Sequence, residues 1–81
     1  MIFTAHITIM PLKELLDPQG KAVLGGLANL GITSIEDARI GKHITLQIEA
    51  ADASRAKEIA TTATTKLLAN QVMEQFEIVV A

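Results

Sequence analysis

Near the start of the chain, in Ile2-Phe3-Thr4-Ala5-His6-Ile7-Thr8-Ile9-Met10, apolar and polar side chains alternate from Phe3 to Ile9. A period of two, with many β-branched residues, is typical of a strand that has one buried face. The buried face would carry Phe3, Ala5, Ile7 and Ile9. Pro11 has no N–H to donate to a neighbouring strand, so we predict that the strand ends there.

The next segment has the signals of a helix start. Asp17 is a good N-cap, and Pro18 suits the first helical position because its missing N–H would be unpaired there anyway. Apolar residues then recur at helical spacing: Val23, Leu24, Leu27 and Leu30. We predict a helix from Pro18 to Leu30, with Gly31 as its C-terminal stop. The Gly25-Gly26 pair inside it predicts a close approach of helix and sheet.

Residues 33–40 and 43–49 are predicted to form a hairpin, because the Gly41-Lys42 pair between them suits a two-residue type II′ turn. The register stays open. A two-residue turn places Arg39 opposite Ile44, whereas matching the apolar side chains pairs Ile40 with Ile44 and needs a bulge or a longer loop.

A second helix should begin at the N-cap candidate Asp52 and bury one apolar stripe, made of Ala56, Ile59, Ala60, Ala63 and Leu67. Asn70 can take the left-handed conformation that closes a helix. Alternation of Phe76, Ile78 and Val80 predicts a last strand at about residues 74–80.

The resulting order is βαββαβ, the ferredoxin-like pattern of an α+β fold. It predicts a four-stranded antiparallel sheet with two helices on one face. The other face would be semi-polar, and in this architecture such a face often packs against a second subunit; it would include Thr4, His6, Thr8, Gln47, Glu77 and Val79.

Composition limits the possible functions. The chain has 81 residues, no cysteine, and 7 Lys and Arg against 9 Asp and Glu, so disulfides are impossible. A net charge of -2 and two aromatic residues disfavour nucleic acid as a partner. No apolar run approaches the roughly 18 residues of a membrane span, and no basic secretory start is present, so we expect a cytoplasmic protein with no membrane contact. The 49% hydrophobic content exceeds what one small domain can bury, which predicts a homodimer or higher homo-oligomer.

Few residues could carry catalysis. Ser34, Ser54, His6 and His43 show no spacing that favours a nucleophile–base pair. The two imidazoles could meet across paired strands, but without a fixed carboxylate they would make a poor metal site. Gly41-Lys42 is not followed by Ser or Thr and so fails as a phosphate-binding motif. We expect this chain to contain no catalytic residue and to bind no metal or cofactor.

Three segments in register resemble the PurS family: Leu16-Asp17-Pro18-Gln19-Gly20-Lys21-Ala22, Ala38-Arg39-Ile40-Gly41-Lys42 and Lys66-Leu67-Leu68-Ala69-Asn70. PurS is the small subunit of the multi-subunit phosphoribosylformylglycinamidine synthase of purine biosynthesis, and the resemblance spans essentially the whole chain. The departures are Gln71 where the family commonly has proline, Met73 and Phe76 for the usual Ile and Tyr, and Ala38 for the usual valine.

The resemblance implies a single PurS-like domain over residues 1–81, with no activity expected alone, in an ATP-dependent ligase complex. In that family the large synthetase subunit uses ATP and Mg, a glutaminase subunit releases ammonia, and a PurS homodimer bridges them. Arg39 would pair a partner carboxylate, and Gly41 would permit close backbone approach. The candidate partner-contact residues are Asp17, Pro18, Gln19, Gly20, Arg39, Gly41, Lys42 and Asn70.

Two other functions stay open at this point. The first is a free-standing ligand-sensing regulatory module of the same βαββαβ class, although Pro11-Leu12-Lys13 stands where such modules have a Gly-rich loop. The second is a small ferredoxin-like enzyme with His6 or His43 as general base. Calorimetry with amino acids and nucleotides would detect the first, and amide-forming or glutaminase activity of the isolated protein would indicate the second.

Overall fold

The computed structural model describes residues 1–13 and 15–81. In this part of the chain the regular elements are, in order, β1 (Ile2–Pro11), α1 (Pro18–Asn29), β2 (Lys42–Glu49), α2 (Ala53–Ala63) with a π-helical turn (Thr64–Leu68), and β3 (Glu74–Val80). An α+β fold is therefore confirmed.

The sheet is built around β1, which pairs antiparallel with β2 on one side and β3 on the other. Ile7 at its centre lies opposite Ile44 of β2 and Ile78 of β3, and is fully buried. The predicted alternation of β1 is confirmed, and the strand includes Pro11 as its last residue. The predicted four-stranded sheet is wrong, because three strands pair within the described residues.

The missing strand is the segment before β2. Residues 32–40 contain no turn or bend, and the chain runs through Gly41 directly into β2. A type II′ turn needs a positive φ at its first central residue, and among the described residues only Gly31 has a positive φ. The predicted hairpin is therefore wrong, and neither of its two registers forms.

The core lies between the sheet and α2. One cluster joins Ala5 and Ile48 of the sheet to Ala56 and Ala60 of the helix, and a second contains Ile7, Ile9 and Ala69. Alanine on the inner face of α2 lets the helix axis approach the sheet closely, so β-branched side chains of β1 fill the space between them.

Helix α1 follows the predicted pattern locally but not in its packing. It ends one residue before the predicted Leu30, and Gly31 follows with φ 86° as the predicted stop. Ile32 N–H donates to the Leu27 carbonyl at 3.0 Å and Gly31 N–H to the Ala28 carbonyl at 3.0 Å, which is a Schellman motif.

However, α1 does not pack on the sheet, and Leu30 is 76% exposed. A Cβ added at Gly25 or Gly26 would meet nothing within 4 Å, so the predicted close approach is wrong within one chain. The prediction of two helices on one face of the sheet is wrong for the same reason: the sheet of a single chain carries α2 alone.

Helix α2 begins as predicted, since the Asp52 carboxylate accepts the Arg55 N–H at 2.8 Å. Its end differs. Ala69 N–H donates to the Thr64 carbonyl five residues back, and this wider turn rotates the following residues. Leu67, predicted to be inside, is 83% exposed, and Leu68 packs against the core instead. Asn70 has no positive φ, so its predicted left-handed cap is also wrong.

The face of the sheet opposite α2 is open and semi-polar, as predicted. Thr4 donates to the Gln47 side chain at 3.3 Å, and the rings of His6 and His43 lie 5.6 Å apart. Val79 is an exposed apolar residue on this face. No helix in the described part of the chain has the length and apolar character needed to cross a bilayer.

The π-helical turn predicts unequal roles for two adjacent leucines. We expect Leu68→Ala to lower the free energy of unfolding by about 2 kcal/mol, because it removes core contacts. Leu67→Ala should change it by less than about 0.5 kcal/mol, because the side chain is exposed. Urea denaturation of both variants at one protein concentration measures this. A larger loss for Leu67→Ala would contradict the observed turn.

Candidate functional site

The carboxylate of Asp17 joins two segments that are far apart in the sequence. Its Oδ1 accepts the Gly20 N–H at 3.0 Å, which caps α1, and its Oδ2 accepts the Ile40 N–H at 2.9 Å. The start of α1 is thereby fixed to the backbone just before β2. We call the surrounding surface, formed by residues 11, 17–20, 39–42, 70 and 74, the Asp17 corner.

Gly20 is buried at this corner because α1 and the segment before β2 approach closely there. A Cβ at this position would clash with the Ala38 carbonyl group and would lie 2.7 Å from the Asp17 Oδ2. Gly20 therefore has a steric role, and no pattern in the sequence pointed to its neighbour Ala38. Gly41 is similar, since a Cβ there would clash with the Ile9 carbonyl oxygen and the Met10 sulfur.

Arg39 points back to the end of β1. Its Nη2 donates to the Pro11 carbonyl oxygen, and its charge lies close enough to Asp17 to affect that carboxyl group. The guanidinium carries further N–H donors besides the one used by Pro11. Arg39 can therefore hold the corner together and still bind a carboxylate from outside the chain.

Glu74 brings Asn70 and Lys42 to the same corner. Its Oε1 accepts the Asn70 N–H at 2.8 Å, and its Oε2 lies 3.7 Å from the Lys42 Nζ. Asn70 in turn accepts the Val72 N–H on its side-chain oxygen at 3.0 Å, which shapes the turn before β3. The entry to β3 is thus tied to the start of β2.

An open groove of about 410 Å³ crosses the Asp17 corner. Polar and apolar groups share its walls, with Leu16 72% exposed at one side and Met73 52% exposed at the other. Gln19 and Asn70 also line it. Exposed apolar side chains beside fixed polar groups are typical of a protein contact surface.

All the sequence-predicted contact residues occur at this corner: Asp17, Pro18, Gln19, Gly20, Arg39, Gly41, Lys42 and Asn70. Whether they touch a partner stays a prediction. The close approach expected at Gly41 is to Ile9 and Met10 of the same chain. The sequence did not identify three residues that link the predicted ones: Pro11, Ile40 and Glu74. Of these, only Glu74 had a sequence signal, which is its spacing from Asn70 across a turn.

The hydrogen bonds at the corner favour the charged form of Asp17. The Gly20 N–H, then the Ile40 N–H, hold the pKa of this carboxyl group below its usual value of 3.8, and the nearby Arg39 acts in the same direction. The carboxylate is therefore ionised at neutral pH.

Residues that could carry catalysis are not brought together in the described part of the chain. Ser34 lies in the segment before β2 and Ser54 in the first turn of α2. His6 and His43 lie side by side on the open face, where Thr8 Oγ1 is 3.3 Å from the His43 Nδ1. In residues 1–13 and 15–81, no three His, Asp or Glu side chains are grouped so that they could hold a metal ion.

The lowered pKa of Asp17 makes a prediction about pH. Above 3.8 the carboxylate stabilises the folded state, and this contribution is lost as the pH falls through the lower folded-state pKa. Asp17→Asn keeps an acceptor oxygen but no charge, so it should be less stable than wild type at neutral pH. Urea denaturation across the acid range should show this difference shrinking below 3.8. A difference that is constant with pH would contradict the assignment.

A second prediction concerns two glycines of α1. Gly20→Ala should lower the free energy of unfolding by about 1–3 kcal/mol, because the new methyl group would meet the Ala38 backbone. Gly25→Ala is the matched control in the same helix, because position 25 faces away from the Gly20 side. This substitution should raise the free energy of unfolding by about 1 kcal/mol, since alanine has the higher helix propensity. Thermal and urea unfolding of both variants measure this. Equal stabilisation by both substitutions would show that the corner is loosely packed.

Comparison with known proteins gives a consistent result. The sequence model of the family described as "PurS: Phosphoribosylformylglycinamidine (FGAM) synthase" matches residues 4–81. The PurS subunit of Mycobacterium leprae is 43% identical over 74 residues, covering 91% of this chain and 90% of that protein. The corresponding subunit of Synechocystis is 41% identical over 71 residues, covering 88% and 69%.

Among solved structures, a chain of PurLQS from Thermotoga maritima superposes with a TM-score of 0.92 and 28% identity, covering all of this chain and 99% of that one. The fold, the matched length and the sequence identity agree with one another. The chain belongs to the PurS family of phosphoribosylformylglycinamidine synthase subunits.

Proposed function

We propose that this protein is the non-catalytic bridging subunit of a phosphoribosylformylglycinamidine synthase complex in purine biosynthesis, working in the cytoplasm. The observation that carries the proposal is the full-length superposition on a chain of the Thermotoga maritima PurLQS assembly. Ser34 and Ser54 lie on other elements than the histidine pair of the open face, which supports a role other than catalysis.

In this role the chain would hold a synthetase subunit and a glutaminase subunit in a fixed geometry. Ammonia released at one active site must reach formylglycinamide ribonucleotide at the other before it is protonated and lost to bulk water. A rigid bridge sets the distance and excludes solvent, which is a contribution of positioning. ATP and Mg would be used by the large subunit, and this chain would bind no cofactor.

The Asp17 corner is the surface best suited to contact the large subunits. It is rigid because Asp17, Arg39 and Glu74 each tie separate segments together. It presents the cations of Arg39 and Lys42 next to exposed apolar residues such as Leu16. Cations beside a fixed apolar surface give both orientation and affinity to a protein contact.

The protein would act as a homodimer. Val23 is 43% exposed on α1, and Ile32 and Ile35 are exposed in the segment that follows. These apolar side chains lie on elements that the sheet of the same chain does not cover. A second copy would remove them from water, at about 25 cal/mol for each Å² of apolar surface.

Capture by the partner subunits tests the role. We expect the wild-type protein to co-purify with the large synthetase and the glutaminase, and the double variant Arg39→Ala/Lys42→Ala to bind the synthetase at least about tenfold more weakly. Arg55→Ala/Lys57→Ala is the matched control, because it removes the same two residue types from the exposed side of α2. Synthesis of the amidine by the reconstituted complex should fall in parallel.

Circular dichroism should show that the two double variants fold alike. Equal binding and equal synthesis with both of them would contradict the assignment of the Asp17 corner. Failure of the wild-type protein to bind either subunit would contradict the bridging role itself.

A further inference from the structure

Two histidines lie side by side on the open face of the sheet. They are diagonal neighbours in the antiparallel ladder, because His6 of β1 lies opposite Thr45 and His43 of β2 lies opposite Thr8. The centroids of the two rings are 5.6 Å apart, and the ring planes are inclined by 40°. His6 is half-buried and His43 is exposed, so an ion can approach both rings from solvent.

The separation of the rings is close to the one that a shared metal ion requires. With a metal–nitrogen distance of about 2.0–2.1 Å, each ring centroid lies about 3.2 Å from the ion, and at the tetrahedral angle two centroids lie about 5.2 Å apart. The observed separation of 5.6 Å is only slightly longer. Small rotations of the two side chains are therefore enough to bring one nitrogen of each ring onto the same ion.

The hydroxyl group of Thr8 fixes the ring of His43. Its Oγ1 lies 3.3 Å from the His43 Nδ1, within hydrogen-bond distance. When Nδ1 carries the proton and donates to Thr8, the Nε2 of the same ring keeps a lone pair for a metal ion. Metal-bound histidines commonly have their second nitrogen in such a hydrogen bond. The sequence alone offered no group that fixes either imidazole, whereas the structure shows Thr8 in that role.

The charges on the open face also favour a cation. Within the three described strands, the side chains that alternate to this face include no Lys or Arg, since Lys42 precedes His43 and belongs to the opposite face. Glu77 of β3 lies opposite Thr8, and Glu49 lies at the far end of the face, 3.0 Å from the N-terminal ammonium group. An ion between the two rings would therefore have the Glu77 carboxylate as its nearest charged neighbour on this face.

We propose that the His6–His43 pair is a binding site for a first-row transition-metal ion, with the His43 Nε2 as one ligand and a ring nitrogen of His6 as the other. Imidazole suits copper, nickel and zinc, and the affinity of such a site is highest for Cu²⁺. Because no third His, Asp or Glu joins the pair in residues 1–13 and 15–81, water would fill the remaining positions. The ion would be held at the surface and take no part in a reaction of this chain.

Calorimetric titration of the protein, without a histidine tag and in a weakly chelating buffer, tests the site. We expect one Cu²⁺ for each chain, bound more tightly than Ni²⁺ or Zn²⁺, and no binding of Mg²⁺, which prefers oxygen ligands. His6→Gln and His43→Gln should each weaken Cu²⁺ binding at least about tenfold, because the second imidazole acts at a high effective concentration.

Thr8→Val keeps the shape of the side chain but removes its hydroxyl group. It should weaken Cu²⁺ binding about tenfold, because the ring of His43 loses the group that orients it. Thr8→Ser keeps the hydroxyl group and should bind as the wild type does. Unchanged affinity in Thr8→Val would overturn the assignment of the His43 Nε2 as a ligand.

Electron paramagnetic resonance of the Cu²⁺ complex counts the bound nitrogens. We expect coupling to two imidazole nitrogens in the wild type and in the control Glu77→Gln, and to one in each single-histidine variant. The double variant His6→Gln/His43→Gln measures binding elsewhere on the chain, including at the N-terminal amine.

Two results would show an adventitious ion only and overturn the proposal. One is Cu²⁺ binding by the double variant that is as tight as that of the wild type, and the other is a nitrogen signal that the single substitutions leave unchanged. Circular dichroism without metal shows which variants fold, and one folded single-histidine variant is enough to decide. The three residues of the site lie outside the Asp17 corner, so this result is independent of partner capture.

Discussion

The carboxylate of Asp17 accepts one backbone N–H from α1 and another from the segment that leads into β2. These two bonds set the direction in which α1 and the segment after it leave the sheet, because they hold the start of α1 and Ile40 at one place. Gly20 completes the arrangement by letting the helix backbone approach Ala38. The groove that crosses the corner is lined by this same carboxylate, so its shape depends on this single charged group.

Features that depend on neighbouring residues could be predicted from the sequence. The alternation in β1, the caps at Asp17 and Asp52, and the stop at Gly31 each use contacts within a few residues, and each is present. The hairpin at Gly41-Lys42 could not be decided in this way. Glycine permits a tight turn, but it also permits a straight backbone that packs closely against another strand. At Gly41 the close packing against Ile9 favours the straight backbone.

The candidate site shows the same division. Its members were identified in three separate segments of the sequence, and the structure brings them to one corner. Their connections were not predictable, because Pro11 and Glu74 act through contacts with residues distant in the chain. The inward position of Leu68 in place of Leu67 was missed because one π-helical turn changes the helical period, and composition carries no sign of it. Gly25 and Gly26 have no neighbour in their own chain to explain them.

The position of β1 at the centre of the sheet has a consequence for folding kinetics. Ile7 pairs with Ile78, so the two ends of a loop of about 70 residues must meet before the sheet is complete. Closing such a loop costs entropy before any contact compensates for it, and proteins with many distant pairings fold slowly. Helices form much faster than this pairing. We therefore expect an early state with α2 formed and the edge of β1 still open, in which high concentrations favour aggregation over correct assembly.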